Sequence, residues 1–180
     1  ADIAAATGTG VDEGTDTLSN FENILGGTKD DTLIGDSGDN TINGGTSNGN
    51  DLLIGGDGAD SFIGGDGSDT VSYAIDKSSD DATAGVDINL RTNSGTDGWG
   101  DTDSYNSIEN IVVRQVFVPI TGDSANNTLK GGTGVDTLTY AGAAAGVTVS
   151  LAQTGTQNTI GDGEDTISGF ENLTGSSHAD

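Results

Sequence analysis

Apolar residues recur along this chain at a fixed distance from a glycine pair, on neither a helical period nor a plain alternation. From Gly26 the sequence reads GGTKDDTLI, GDSGDNTIN, GGTSNGNDLLI, GGDGADSFI and GGDGSDTVS, ending at Ser72. A second block, GDSANNTLK and GGTGVDTLT, runs from Gly122 to Thr139. The first-block units start at Gly26, Gly35, Gly44, Gly55 and Gly64, nine residues apart except where the third carries two extra residues. The eighth position of each unit is apolar: Leu33, Ile42, Leu53, Phe62, Val71, Leu129 and Leu138. Nine residues are too few for a helical hairpin. They fit a six-residue turn followed by a three-residue strand whose middle residue points inward. One inward side chain per unit makes no core by itself, but stacked units align these residues into a continuous apolar ladder. The pattern therefore predicts an all-β solenoid. If two nonapeptides make one coil, units of the same parity share an edge. Asp31, Asp51 and Asp69 then line one edge, and Asn40 and Asp60 the other.

A longer module overlies the short one. Asp69-Thr70-Val71-Ser72-Tyr73-Ala74 recurs as Asp136-Thr137-Leu138-Thr139-Tyr140-Ala141, and each copy is followed by an alternating segment, GVDINL at Gly85–Leu90 and GVTVSL at Gly146–Leu151, read as a strand. A third piece appears as DTLSNFENI from Asp16, DSYNSIENI from Asp103 and DTISGFENL from Asp165. It equates Asp16, Asp103 and Asp165, and likewise Glu22, Glu109 and Glu171. The expected organisation is one continuous array over residues 1–180. Residues 26–72 form the main nonapeptide block, 73–121 a spacer with a loop at 76–84 and an excursion at 111–120, and 122–180 a second nonapeptide pair with its spacer. The excursion VVRQVFVPI is the most apolar stretch and is expected to cover an open edge. Both ends fall inside a module, so the sequence reads as an excerpt from a longer array, cut mid-repeat at Asp180.

Charge changes the picture from a mere stack to a stack that needs something else. Lys+Arg total 5 against Asp+Glu 29, a formal net charge of −24, and the 31 glycines sit beside only 31% hydrophobic residues. Such a composition borders on the disordered class. Here, however, the acidic residues are spaced regularly, and they are Asp apart from Glu13, Glu22, Glu109, Glu164 and Glu171. Asp tolerates tight turns and left-handed backbone, which points to turns and metal. The charge argues against nucleic acid, whose phosphates need Lys and Arg, and against anionic membrane surfaces. No run is long and apolar enough for a membrane-spanning helix, so no membrane insertion is expected. The absence of cysteine means that disulfides do not hold the fold.

The sixth position of each unit is Asp or Asn: Asp31, Asn40, Asp51, Asp60, Asp69, Asn127 and Asp136. Glycines at the neighbouring positions allow positive φ and turn backbone carbonyls toward one point, to which the carboxylate adds a charged oxygen. Calcium takes six to eight oxygen ligands in flexible geometry, whereas zinc would want the His or Cys that the repeats lack. The predicted cofactor is Ca2+, several ions, each between consecutive turns on one edge. The predicted ligand set is Asp31, Asp51, Asp60, Asp69 and Asp136 with Asn40 and Asn127, the turn residues Gly56, Asp57, Gly58, Gly65, Asp66, Gly67, Gly132 and Gly134, and Asp180 in the final unit. The best-formed turns are Gly55–Asp60, Gly64–Asp69 and Gly131–Asp136. The neutral Asn40 and Asn127, Lys29 in place of a glycine, and the glycine-poor GDSANNTLK mark turns expected to bind weakly or not at all. Without ions the stacked carboxylates would repel, so metal binding and folding are expected to be one event.

GGDGADSFI, GGDGSDTVS and GGTGVDTLT match GGxGxDxUx at every defined position and so resemble the repeats-in-toxin, haemolysin-type calcium-binding repeats. The resemblance covers Gly26–Ser72 and Gly122–Tyr140. It implies a right-handed parallel β-roll with calcium between turns. It also implies export from bacteria by type I secretion, and folding in the calcium-rich extracellular space or at the cell surface.

Nothing in the sequence favours an enzyme. His178 is the only histidine and reads as an incidental surface residue; pairs such as Glu164-Asp165 read as metal ligands or caps rather than an acid and a base. HExxH does not occur. Trp99, in SGTDGWGDTD, is expected to cap the solenoid rather than stack on a sugar. The function expected is a structural segment of a secreted or surface protein, such as an adhesin, surface-layer protein or filament subunit. Its partners would be calcium and copies of itself or neighbouring modules. The alternative is the secretion and folding module of an exoenzyme or toxin whose catalytic domain lies outside the chain.

Overall fold

The computed structural model of the chain describes residues 21–74, 86–114, 118–153 and 155–180, and the backbone of 8–10 and 14–16. Each nonapeptide folds as a six-residue turn and a three-residue strand. β3 (Asn23–Leu25) directly precedes the first block, whose strands are β4 (Thr32–Ile34), β5 (Thr41–Asn43), β6 (Leu52–Ile54), β7 (Ser61–Ile63) and β8 (Thr70–Ser72). β3, β5 and β7 pair in parallel in one sheet, and β4, β6 and β8 in another. One coil therefore takes two nonapeptides, and same-parity units stack. Before them, β1 (Gly8–Gly10) and β2 (Gly14–Asp16) form an antiparallel pair.

The register places position eight on itself: Ile24 opposite Ile42, Ile42 opposite Phe62, and Leu33 opposite Leu53 opposite Val71. All seven position-eight residues are at most 1% exposed. A buried aliphatic side chain contributes roughly 1.5–3 kcal/mol, so each unit adds one modest increment and no unit stands alone.

The spacers continue both sheets. In the first are β9 (Asp87–Asn89), β10 (Ser94–Thr96), β11 (Thr102–Asn106), β13 (Pro119–Thr121), β15 (Thr137–Thr139) and β18 (Asn172–Thr174). In the second are β12 (Asn110–Val112), β14 (Thr128–Lys130), β16 (Thr156–Asn158) and β17 (Glu164–Ser168). The first sheet runs β18-β15-β13-β9-β10-β11-β7-β5-β3 and the second β16-β17-β14-β12-β8-β6-β4, with no helix among the described residues. The result is an all-β, parallel-rich β-roll.

Parallel pairing is interrupted at the spacers. β10 pairs antiparallel with both β9 and β11, and β16 pairs antiparallel with β17. These hairpins insert a reversed strand that the short period gives no hint of. GVDINL supplies β9, with Val86, Ile88 and Leu90 buried. GVTVSL, read as its equivalent, is no strand. The side chain of Gln157 takes the place of a ladder there: its Nε2 donates to the Ser150 carbonyl at 2.9 Å, and its Oε1 accepts from the Ser150 N–H at 2.8 Å.

The stretch at 111–120 also differs from a cover over an open edge. Its two ends are rungs: Ile111 lies between Val71 and Leu129, and Ile120 between Ile88 and Leu138. Both are fully buried. Pro119 stands first in its strand, where a missing N–H disrupts the ladder least. Residues 115–117 and the loop at 76–84 lie outside the described residues.

Candidate metal centres

The sixth-position side chains form a ladder of their own along the turns. On one edge the Asp31 N–H donates to Oδ1 of Asp51 at 2.8 Å, the Asp51 N–H to Oδ1 of Asp69 at 2.8 Å, and the Asp69 N–H to Oε2 of Glu109 at 2.8 Å. On the other edge the Asn40 N–H donates to Oδ1 of Asp60 at 2.9 Å and the Asp60 N–H to Oδ1 of Asp103 at 2.8 Å. The second block repeats the arrangement. Val118 N–H donates to Asp136, Asn127 N–H to Asp165, and Asp136 N–H to Glu171. Val147 N–H closes the series on Oδ1 of Asp180.

Each carboxylate thus spends one oxygen on the turn stacked against it, and the second oxygen is the chemically interesting one. In Asp60, Asp69 and Asp136 it is buried without a hydrogen-bond partner among the described residues. In Asp60 and Asp69, as in Asp51, it folds back over the first glycine of its own turn: a Cβ on Gly55 would lie 1.9 Å from Oδ2 of Asp60, one on Gly64 2.5 Å from Oδ2 of Asp69, and one on Gly44 2.1 Å from Oδ2 of Asp51. Carbonyls of the stacked turn close the other side. Gly65, at φ +109°, comes so near the Gly45 carbonyl oxygen that a Cβ would lie 2.1 Å from it.

Burial pushes the carboxyls of Asp51, Asp60, Asp69 and Asp136 up, and like charge adds to it. Asp60 rises to about 8, chiefly by burial, with Asp103, Asp97 and Asp39 contributing against the Asn40 hydrogen bond. Asp51, Asp69 and Asp136 also rise, by burial first and then by the neighbouring carboxylates Asp31, Asp51 and Glu171 respectively. An isolated buried anion with a free oxygen is costly. A hard divalent cation fits this donor set of carboxylate and carbonyl oxygens, and its charge would offset theirs.

Other predicted ligands are placed differently. Oδ1 of Asn40 accepts the Asp36 N–H at 2.8 Å, and its Nδ2 donates to Oδ1 of Asp36 at 3.4 Å. Asn127 and Asp123 repeat the pairing, at 2.9 and 3.2 Å. These two turns, with Asp in place of the second glycine, are closed by side-chain hydrogen bonds of their own. Asp31 is half-buried and accepts the Gly27 N–H. The turn residues Gly56, Gly58, Gly65, Gly67, Gly132 and Gly134 all have positive φ. Asp57 is half-buried, Asp66 exposed, and Asp180 exposed with Oδ1 accepting from the Ser176 hydroxyl at 2.6 Å. His178 is exposed.

Asp103, Glu109 and Glu171, which the nonapeptide pattern does not single out as ligands, and Asp165, read from the sequence only as a metal ligand or cap, occupy the rung above the sixth-position residues Asp60, Asp69, Asp136 and Asn127 respectively. Their threefold recurrence is the signal that identifies them; separations such as Asp69 to Glu109 hide the pairing from any nine-residue period.

Fold and turns together define a parallel β-roll with carboxylate-lined, cation-receptive turns. The family model of the RTX calcium-binding nonapeptide repeat matches in four copies, over residues 12–48, 46–74 and 120–142. The chain carries RTX calcium-binding nonapeptide repeats. No curated protein matches it.

Proposed function

We propose that this chain is a calcium-dependent structural segment of a secreted or cell-surface bacterial protein, one continuous array that folds as calcium fills its turns. The carrying observation is the buried, partnerless second oxygen of Asp60, Asp69 and Asp136. These are the three turns with complete GGxGxD sequences. Calcium there would take a carboxylate oxygen from the turn and carbonyl oxygens from the stacked turn, supplying the missing positive charge. At an effective dielectric near 20, two carboxylates about 5 Å apart repel by about 3 kcal/mol. One buried aliphatic residue contributes a similar amount. The apolar ladder alone therefore leaves the stack marginal, and the cation decides.

A structural role is supported by what the remaining carboxylates do. Asp165, of the Glu164–Asp165 pair, holds the Asn127 N–H and the Tyr140 hydroxyl, which makes it a rung rather than an acid or base. Extracellular placement is supported by the repeat family and by the chemistry: a fold that needs several calcium ions suits a calcium-rich compartment. Far-ultraviolet circular dichroism during calcium titration tests the reading. Strand signal should appear cooperatively with calcium and vanish on chelation. Full strand signal in excess chelator would overturn it.

A further inference from the structure

The hairpin between β10 and β11 carries a feature that the nonapeptides do not explain. β11 lies parallel to β7, Ser104 opposite Ser61, so the loop at residues 97–101 sits where a next turn would stack over Gly55–Asp60. In that position Asp57, Asp97 and Asp101 each bring a carboxylate oxygen within 4.8 Å of the others. Asp97 is fully buried. Its Oδ1 accepts the N–H groups of Trp99, Gly100 and Asp101 at 3.0, 2.8 and 2.8 Å, which fixes the carboxylate in place. Its Oδ2 is buried and has no hydrogen-bond partner among the described residues.

We propose that Asp97 and Asp101 of this hairpin, together with Asp57 of the turn beneath, hold a calcium ion at a site outside the nonapeptide pattern. Opposite ligands around calcium stand about 4.6–5.2 Å apart, so three oxygens at this spacing can share one coordination shell. All three donors are hard oxygens carrying charge, with no nitrogen or sulfur to favour a softer metal. The second spacer provides an internal contrast. Its hairpin loop also buries an aspartate, Asp162, but there the Arg91 guanidinium supplies the cation. Among the described residues no arginine or lysine pairs with Asp97 in this way. Trp99 then acquires a reason for its position: it lies in the loop that wraps the ion.

Trp99 is the chain's only tryptophan, which makes the test selective. Terbium(III) replaces calcium in the full chain and is excited through tryptophan at the red edge of its absorption, with calorimetry counting calcium ions in parallel. The wild type should show tryptophan-sensitised emission that excess calcium displaces. Asp101→Asn, on an exposed side chain, should weaken terbium binding at this site about tenfold or more and lower the calcium count by one, while calcium-induced strand signal persists. Asp97→Asn keeps the Oδ1 acceptor for the three N–H groups and should do the same. Unchanged emission and calcium count in both variants would overturn the site while leaving the nonapeptide reading intact. If calcium induced no strand signal in any chain, the nonapeptide reading would fall, yet terbium emission lost with Asp101→Asn would still support this site.

Discussion

The hydroxyl of Tyr140 donates to Oδ2 of Asp165 at 2.9 Å, taking the same carboxylate oxygen that stands partnerless in Asp60, Asp69 and Asp136. Tyr73 does likewise for Asp103, and it also shares a 2.6 Å hydrogen bond with the Tyr105 hydroxyl. The roll therefore treats the second oxygen of a stacked carboxylate in two ways. Nonapeptide coils leave it without a protein donor in Asp60, Asp69 and Asp136, whereas spacer coils give it to a phenol. The tyrosines of DTVSYA and DTLTYA are the points at which one device hands over to the other.

Tyr140→Phe should consequently destabilise the roll without changing its calcium stoichiometry. The ring still fills its buried place, but Asp165 keeps a buried oxygen with no donor, a loss of about 1–3 kcal/mol. Denaturant unfolding in saturating calcium should show the lower midpoint, and calorimetry an unchanged ion count. A drop in the count would mean that the tyrosine supports a metal site instead.

Close stacking at the turns predicts a contrast between two glycines of similar φ. At Gly65, with φ +109°, an added Cβ would lie 2.1 Å from the Gly45 carbonyl oxygen, whereas at Gly155, with φ +108°, it would meet nothing within 4 Å. Gly155→Ala should cost only the left-handed backbone penalty, about 1–2 kcal/mol. Gly65→Ala adds a clash that must push two turns apart, so it should also raise the calcium concentration needed for folding. Equal calcium midpoints for the two variants would show that turn spacing does not set affinity.

The pH dependence of the calcium-free chain follows from the raised carboxyls. Burial brings Asp60 to about 8 and Asp103 to about 7 from an ordinary 3.8, and Asp165 to about 6. In the interval between the ordinary and the raised value the folded state binds more protons than the unfolded state, so stability falls as pH rises. Residual strand signal without calcium should be greatest near pH 4 and decline until about pH 8, where the Asp60 contribution is spent. Calcium requires the deprotonated carboxylate, so its affinity should climb across the same window. A calcium-free signal that grows with pH would contradict the assigned burial.

What the sequence discloses of this fold is whatever repeats at short range. Position eight identifies Leu33, Leu53 and Val71 as one apolar column, and position six identifies Asp51 and Asp69 as stacked acceptors, because both follow from a single coil length. Glu109 and Asp103 escape that logic. They meet their partners across 40 and 43 residues, after hairpins that no nine-residue period encodes. GVTVSL alternates as a strand should, yet Gln157 claims the backbone of Ser150 with its side chain. Asp97 is hidden for a different reason: three backbone N–H groups define its role, and none has a sequence signature.

The turns divide most sharply in their response to losing the sixth-position side chain. Asp69→Asn removes the charge at a buried oxygen with no protein donor while retaining an acceptor for the Asp51 N–H. It should lower the number of calcium ions bound and shift cooperative folding to higher calcium. Asp136→Asn should behave alike, since its Oδ1 similarly accepts the Val118 N–H. Asn127→Ala breaks a turn closed by its own hydrogen bonds, leaving the Asp123 N–H and the Glu109 carbonyl without their side-chain partner while the backbone bond to Asp165 remains. That change should cost about 1–2 kcal/mol of stability in saturating calcium and leave the ion count unaltered. Calorimetric stoichiometry beside denaturant midpoints separates the two classes. If Asn127→Ala released an ion, or Asp69→Asn released none, the division between cation-balanced and self-closed turns would be wrong.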